Sequence, residues 1–252
     1  MLGSIIGHIL GENYGREGRS VKDTKDIVNL LSSDNLIQNK KKISEICAIY
    51  DAIINGDSNY SDYLEKSDSK SDDSIAAMRV TPVGFCFDQF EQIEDEAKEA
   101  TIPTHDTDDA KKGSKAVALS IYLLRIGMPK RRLEDYMKLK YYSMNYELEE
   151  LQEDSFSKND KETVPYAMVC FFKSNSFENA IANALSIGGD SSTITSITTS
   201  LAEAYYGIPE KVVEKSREIL NDGTYNLLKD KYFSPKEYRI KTGNRGVKWL
   251  KK

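Results

Sequence analysis

Three short polar runs stand at the starts of apolar-periodic segments: Asp23-Thr24-Lys25-Asp26, Thr104-His105-Asp106-Thr107-Asp108-Asp109, and Asp190-Ser191-Ser192-Thr193. Asp carboxylates and Thr hydroxyls are hard oxygen donors of the kind Mg²⁺ takes. Ser, Thr and Asp are also the side chains that cap helix N-termini. Each run alone therefore reads either as a cap or as part of a metal and phosphate site. The third run is preceded by Gly188-Gly189, a pair that lets the backbone turn sharply and lets a ligand come close to it. His105 is one of only two histidines, and both a polar structural role and a catalytic one are open to it.

The elements that must position these runs are helical. Ile5, Ile6, Ile9 and Leu10 sit at helical spacing, and a polar turn follows from Glu12 to Ser20. Asp23 or Thr24 caps a helix whose stripe is Ile27, Val28, Leu30 and Leu31. The next helix spans about Lys42 to Ile54 and stops at Asn55-Gly56. Residues Ser58 to Ser74 read as an exposed acidic loop, and Pro82 and Gly84 interrupt the buried stretch Ala76 to Phe87. Phe90 to Ala100 is amphipathic, and Pro103 to Asp106 opens a long helix to about Ile126. A basic segment, a Tyr-rich one (Tyr136 to Tyr146) and a polar loop (Gln152 to Glu162) come next, and Pro165 starts another helix. Ser176 with Glu178 starts the next, and Ser191 to Tyr206 carries the stripe Ile194, Ile197, Leu201, Ala204 and Tyr205. Gly207 and Pro209 end that helix and open a last one to about Leu220. No convincing strand alternation occurs, so the fold expected is all-α, in a single domain spanning residues 1–232 with a basic tail at 233–252.

The chain has 252 residues, enough for one sizeable core, with 39% hydrophobic and 30% charged residues. No run approaches about 18 apolar residues, so no membrane span is expected. The segment MLGSIIGHILG has no basic flank and reads as a first core helix, not a signal peptide. Cys47, Cys86 and Cys170 are scattered and form no CxxC. That pattern points to free thiols in a reducing, cytoplasmic setting. A net charge of -5 gives no case for nucleic acid. Residues 234–252 hold seven Lys/Arg and one Glu, which suits a solvated terminus or a contact with an acidic partner.

In combination the segments go further. AMRVTPVGF (77–85), THDTDDAKKGSKAVAL (104–119), GMPKRRLEDY (127–136) and SFENAIANALSIGGDSSTITSITTSLAEAYYGIPE (176–210) follow GSIIGHILGENYG (3–15) in order. Together they resemble the ADP-ribosylglycohydrolase family, the relatives of dinitrogenase reductase-activating glycohydrolase, from about Gly3 to Leu220. The resemblance implies an all-α orthogonal helical bundle with a central cleft. It also implies a pair of Mg²⁺ ions that orient ADP-ribose and a water for cleavage of an N- or O-glycosidic bond. Paired cations suit a reaction whose transition state needs charge stabilisation and a fixed water.

Carried over residue by residue, the family's metal ligands fall on Thr24, Asp26, Asp190 and Thr193. Lys25 and Ser192 stand where the family has carboxylates. The acidic residues of the opening motif fall on His8 and Gly15. Glu12 or Glu17 is then the nearest acid, and Glu12 and Asp26 are the catalytic candidates. Substrate contacts are implied for Ser74, Met78, His105, Gly188, Gly189 and Ser191. Lys25 is expected to fill the space of one metal and to pair with Asp26 and Asp190, since a buried charge needs a partner. The expectation is ADP-ribose or an ADP-ribosylated substrate as ligand, one Mg²⁺ or none as cofactor, and hydrolysis reduced or lost. The alternative is a non-catalytic protein on the same scaffold that binds ADP-ribose, a nucleotide or a protein partner.

Overall fold

A computed structural model describes residues 1–15, 21–64, 73–153 and 160–233. In chain order the helices are α1 (Leu2–Tyr14), α2 (Thr24–Leu30), α3 (Lys40–Ile54), α4 (Asp73–Arg79), α5 (Thr81–Cys86), α6 (Phe90–Glu99) and α7 (Asp108–Arg125). They continue with α8 (Lys130–Lys140), α9 (Leu148–Glu153), α10 (Asp160–Phe172), α11 (Phe177–Ser186), α12 (Ser191–Tyr206), α13 (Glu210–Ile219) and α14 (Asp222–Leu228). A 3₁₀ turn covers Tyr60–Asp62 and a π turn covers Lys229–Phe233. Every regular element among the described residues is helical, as the 3.6 period requires.

Side-chain caps set six of the starts. Asp23, Asn39, Thr107, Ser176, Asp190 and Asn221 each accept from a backbone N–H three residues on. Thr107 therefore starts α7 later than Pro103 suggested. Residues Thr101 to His105 are instead held in a tight turn, with His105 N–H donating to Thr101 O at 2.9 Å. Pro165 does not start α10 but lies inside it. In the second turn its fixed φ is tolerated at the loss of one backbone bond. The stretch is divided at Val80, just before Pro82 in the first turn of α5, while Gly84 lies inside α5: α4 and α5 are separate short helices. The described part of the loop expected at 58–74 is not all exposed. Tyr60 and Leu64 are buried, and the Tyr60 hydroxyl donates to Glu96 Oε2 at 2.7 Å. The stretch ends inside α4, where Ser74 is buried; its residues 65–72, Glu17 and residues 234–252 of the basic tail lie outside the described residues.

The bundle is built around α12, which packs on α1, α10, α11, α7 and α4. Its residues from Ser191 to Ala204 are all buried although many are Ser or Thr. Burial of hydroxyls is tolerable only when they are bonded. Thr199 Oγ1 returns a bond to Thr195 O at 2.6 Å and Ser200 Oγ one to Ser196 O at 2.9 Å. Ser196 Oγ donates to Ser4 O at 2.8 Å, and Thr198 Oγ1 to Ala167 O at 3.0 Å. The partner face of α1 is lined by Gly3, Gly7 and Gly11, one turn apart, against Thr199, Thr195 and Ser191. A methyl on Gly7 would meet Thr199 Oγ1 at 2.6 Å, so only glycine allows this approach.

Candidate functional site around Asp190

Gly188 and Gly189 have φ of 74° and 70°, the left-handed turn that brings the chain from α11 into α12. It delivers Asp190 to the mouth of α12. One carboxylate oxygen, Oδ1, accepts from Thr193 N–H at 3.3 Å and from the Ser192 hydroxyl at 3.0 Å. The other, Oδ2, is buried and has no protein partner. Three hydroxyls of the first turns of α12, on Ser191, Thr193 and Thr195, share that condition, as do both ring nitrogens of His8 on α1. Buried polar atoms are nearly always bonded, so a cluster of orphans at one helix start is what a polar ligand or bound water would satisfy.

His8 is buried and its pKa is pushed down to about 4, mainly by desolvation and further by the positive charge of Lys42, with Asp190 opposing. The imidazole is neutral at pH 7. Lys42, in the first turn of α3, brings Nζ within 3.4 Å of Ser192 Oγ, the hydroxyl that donates to Asp190. Ammonium, hydroxyl and carboxylate thus form a chain across α3 and α12.

A second polar cluster adjoins the first through the same helix. Arg79, the last residue of α4, is buried. Its guanidinium donates to Glu45 Oε2 of α3 at 3.1 Å, to Thr104 Oγ1, and lies 3.2 Å from His105 Nδ1. Desolvation lowers the Arg79 pKa, and Glu45 counters it. Lys42 and Glu45 are three residues apart, so they share a side of α3. One helix serves both clusters. Alongside runs a groove of about 690 Å³ lined by Lys40, Lys41, Glu45, Cys47, Tyr63 and Asn221 among others, a size that holds a small molecule.

The structure gathers some of the sequence candidates and separates others. Gly188, Gly189, Ser191, Asp190 and Thr193 meet at the turn, with Ser192 bonded to Asp190. Thr24 does not join them. Its hydroxyl donates to Glu178 Oε1 at 2.5 Å, in the first turn of α11. Asp190 follows the other end of that helix, which rises about 15 Å over its length. Asp26 is occupied in its own turn, accepting from Lys22 N–H at 2.8 Å. Among the described residues no group of three or more His, Cys, Asp or Glu side chains could hold a metal ion. Lys25 is exposed, as is Glu12. The ammonium expected of Lys25 at Asp190 comes from Lys42 instead. Ser74 and Met78 are both buried on α4, Met78 within the apolar core. His105 sits with Arg79 in the second cluster.

Lys42, Arg79 and Glu45 are therefore site residues that the sequence reading did not nominate, and His8 is one that it placed only at a lost acidic position of the opening motif. For Lys42 a signal existed: it falls in register with Ile46 and Ile49, both buried. A Lys in line with an apolar stripe needs an anionic or hydroxylic partner at its tip.

The bundle and its Asp-led turn define a class of fold. A solved structure described as an ADP-ribosylglycohydrolase-related protein complex superposes with a TM-score of 0.64 at 17% identity, covering 90% of this chain and 93% of that one. That likeness is one of fold. The ADP-ribosylglycohydrolase family pattern matches residues 24–237, and the chain belongs to that family. An uncharacterized protein of Archaeoglobus fulgidus is 30% identical over 175 residues, which is 60% of this chain and 56% of that protein. The match thus spans little more than half of that relative.

The residues present do not fit the pair of Mg²⁺ ions that the family resemblance implies. Mg²⁺ wants oxygen donors in octahedral array with carboxylates to balance its charge. Among the orphaned atoms at the turn the one carboxylate is Asp190. Its charge is already faced by the Lys42 ammonium through Ser192. The neighbouring imidazole is neutral and the remaining donors are hydroxyls, so two divalent ions would lie there largely uncompensated.

Proposed function

We propose that this protein recognises ADP-ribose, free or joined to an acceptor by an N- or O-glycosidic bond, at the Asp190 turn, and that its hydrolysis of that bond is weak or lost. The observation that carries the reading is the unpartnered Asp190 Oδ2 among the Ser191 and Thr193 hydroxyls. A buried carboxylate oxygen seeks donors, and the ribose diol supplies two. Ser191 and Thr193 present hydroxyls that donate to, or accept from, the same sugar.

Reduced turnover follows from the same residues. Cleavage at a glycosidic carbon passes through an oxocarbenium-like state that uses two acidic groups, one to assist the leaving group and one to activate water or stabilise charge. Asp190 supplies one. Glu12 and Asp26, the other acidic candidates, lie exposed and locally engaged respectively. The cofactor requirement falls from two Mg²⁺ ions to one or none. The second reading, a binding protein without catalysis on this scaffold, is favoured by the separation of Thr24 from Asp190. Three free thiols, Cys47, Cys86 and Cys170, suit a cytoplasmic setting.

Calorimetry with ADP-ribose, and incubation with ADP-ribosyl-arginine and ADP-ribosyl-serine with and without Mg²⁺, test the proposal. Binding with ADP-ribose release near the uncatalysed background is expected. Rapid Mg²⁺-dependent release would restore the full hydrolase, and absence of any ADP-ribose binding would refute the reading.

A further inference from the structure

We infer that Lys42 is a built-in cation that takes the place of a divalent ion at Asp190, so that the site is charge-balanced without metal. Four observations lead here. Asp190 is the one carboxylate among the orphaned atoms at the turn, and its second oxygen has no partner. Lys42 Nζ lies 3.4 Å from Ser192 Oγ, and that hydroxyl donates to Asp190 Oδ1 at 3.0 Å. Lys42 is fixed in place, because its backbone N–H is capped by Asn39 and its helix carries the buried stripe Ile43, Ile46, Ile49. The imidazole of His8 is buried and bare, and sits within the field of both charges.

The electrostatics decide the outcome. A divalent ion seated on Asp190 Oδ2 would stand a few ångströms from a fixed ammonium in a partly dry site. Like charges at about 5 Å repel strongly even at an effective dielectric near 20. The ammonium delivers one positive charge with no dehydration of a metal and with three donors, against an ion that needs more carboxylate than the turn offers. Ser192 completes the relay: it is a donor to Asp190 and a neighbour of Lys42, a place a carboxylate could not fill without drawing Lys42 into a direct ion pair.

The inference rests on Asp190 as the centre of the site and not on ADP-ribose as its ligand, so it is tested on the full chain without nucleotide. Mn²⁺ binding is measured by paramagnetic resonance of the free ion and by calorimetry. The wild type is expected to show no saturable Mn²⁺ site in the micromolar to low millimolar range. Lys42→Gln is expected to gain one, since a repulsive charge is removed, and Lys42→Gln with Ser192→Asp to bind at least roughly tenfold more tightly again, since a carboxylate is then added. Lys42→Arg keeps the charge and should remain without metal, which shows that charge and not the loss of Lys packing is the cause. Circular dichroism confirms that each variant is folded. A wild-type Mn²⁺ site at micromolar affinity that Lys42→Gln leaves unchanged would overturn the inference. So would a Lys42→Gln, Ser192→Asp double variant that folds and binds no Mn²⁺. Failure of ADP-ribose binding alone would count against the proposed function and leave this result standing.

Discussion

Gly11 lies so close to Ser191 that a methyl group on it would stand 2.7 Å from the Ser191 carbonyl carbon and from Ser192 Cα. The atoms it would strike are backbone of the very turn that presents Asp190. The glycine face of α1 therefore sets the position of the candidate site as well as the packing of the core.

Gly11→Ala is expected to destabilise the fold by about 1–3 kcal/mol or more, because rigid backbone cannot yield to an added methyl. Gly56→Ala is the comparison. Its φ is 71° but nothing lies within 4 Å, so it should cost only about 1–2 kcal/mol of backbone strain. Urea denaturation of both variants reads the difference. ADP-ribose affinity should fall for Gly11→Ala and hold for Gly56→Ala.

Asp190 separates capping from chemistry. Asn keeps the side-chain acceptor for Thr193 N–H, while Ala removes it. Asp190→Ala should lose about 1 kcal/mol of stability, and Asp190→Asn almost none. Both should lose ADP-ribose binding, because the charge and the free Oδ2 acceptor are gone. If Asp190→Asn binds as the wild type does, the turn is a cap and nothing more.

Stability should depend on pH through His8. Its folded pKa of about 4 lies below the ordinary 6.5, so between those values the unfolded chain binds a proton that the folded chain refuses. Stability is therefore full above that window and falls as pH drops through it, by at most about 3 kcal/mol. The charges facing the ring are Lys42 from α3, which strengthens the effect, and Asp190 at the start of α12, which weakens it. Comparing urea midpoints at pH 7 and pH 5, His8→Gln should be less acid-sensitive than the wild type. Equal sensitivity of the two would show that His8 is solvated.

Arg79 holds α3, α4 and the turn before α7 together through Glu45, Thr104 and His105. Arg79→Met leaves Glu45 without its cation and should cost about 3–5 kcal/mol. Arg79→Lys keeps the charge but loses the fork that reaches three partners, and should cost less while still weakening the fold measurably. Glu45→Gln combined with Arg79→Met should recover part of the loss, since no unpaired charge is left on the partly buried Glu45 side chain. Chemical denaturation of the set gives the coupling directly.

The tie between α1 and the end of the described chain gives a further check. Tyr232 donates to Glu203 Oε1 at 2.6 Å and accepts from Leu2 N–H at 3.1 Å, while Glu203 Oε2 accepts from Gly3 N–H at 2.8 Å. Tyr232→Phe leaves Glu203 and Leu2 short of partners and should cost about 1–3 kcal/mol. A thermal melt that does not move would show that water replaces the hydroxyl.

The sequence by itself determined the helical class, several helix boundaries and the family, because these rest on local signals: a 3.6-residue apolar period, capping residues such as Asp23, Ser176 and Asp190, and ordered motifs. It also marked Gly188-Gly189-Asp190 as the turn that matters. It misassigned the cation. Lys25 was the natural choice because it lies between the two residues aligned with the metal motif, yet it faces solvent. Lys42, on another helix, is the residue that reaches Ser192. Sequence distance says nothing of which long side chain reaches from one helix to another. The same holds for Thr24, drawn to Glu178 at the far end of α11, and for Arg79, whose partners come from α3 and the turn before α7. Which groups meet at Asp190 is decided by how closely α1 approaches α12, an approach set by the glycines and hydroxyls at their contact, and by the reach of the Lys42 side chain from α3.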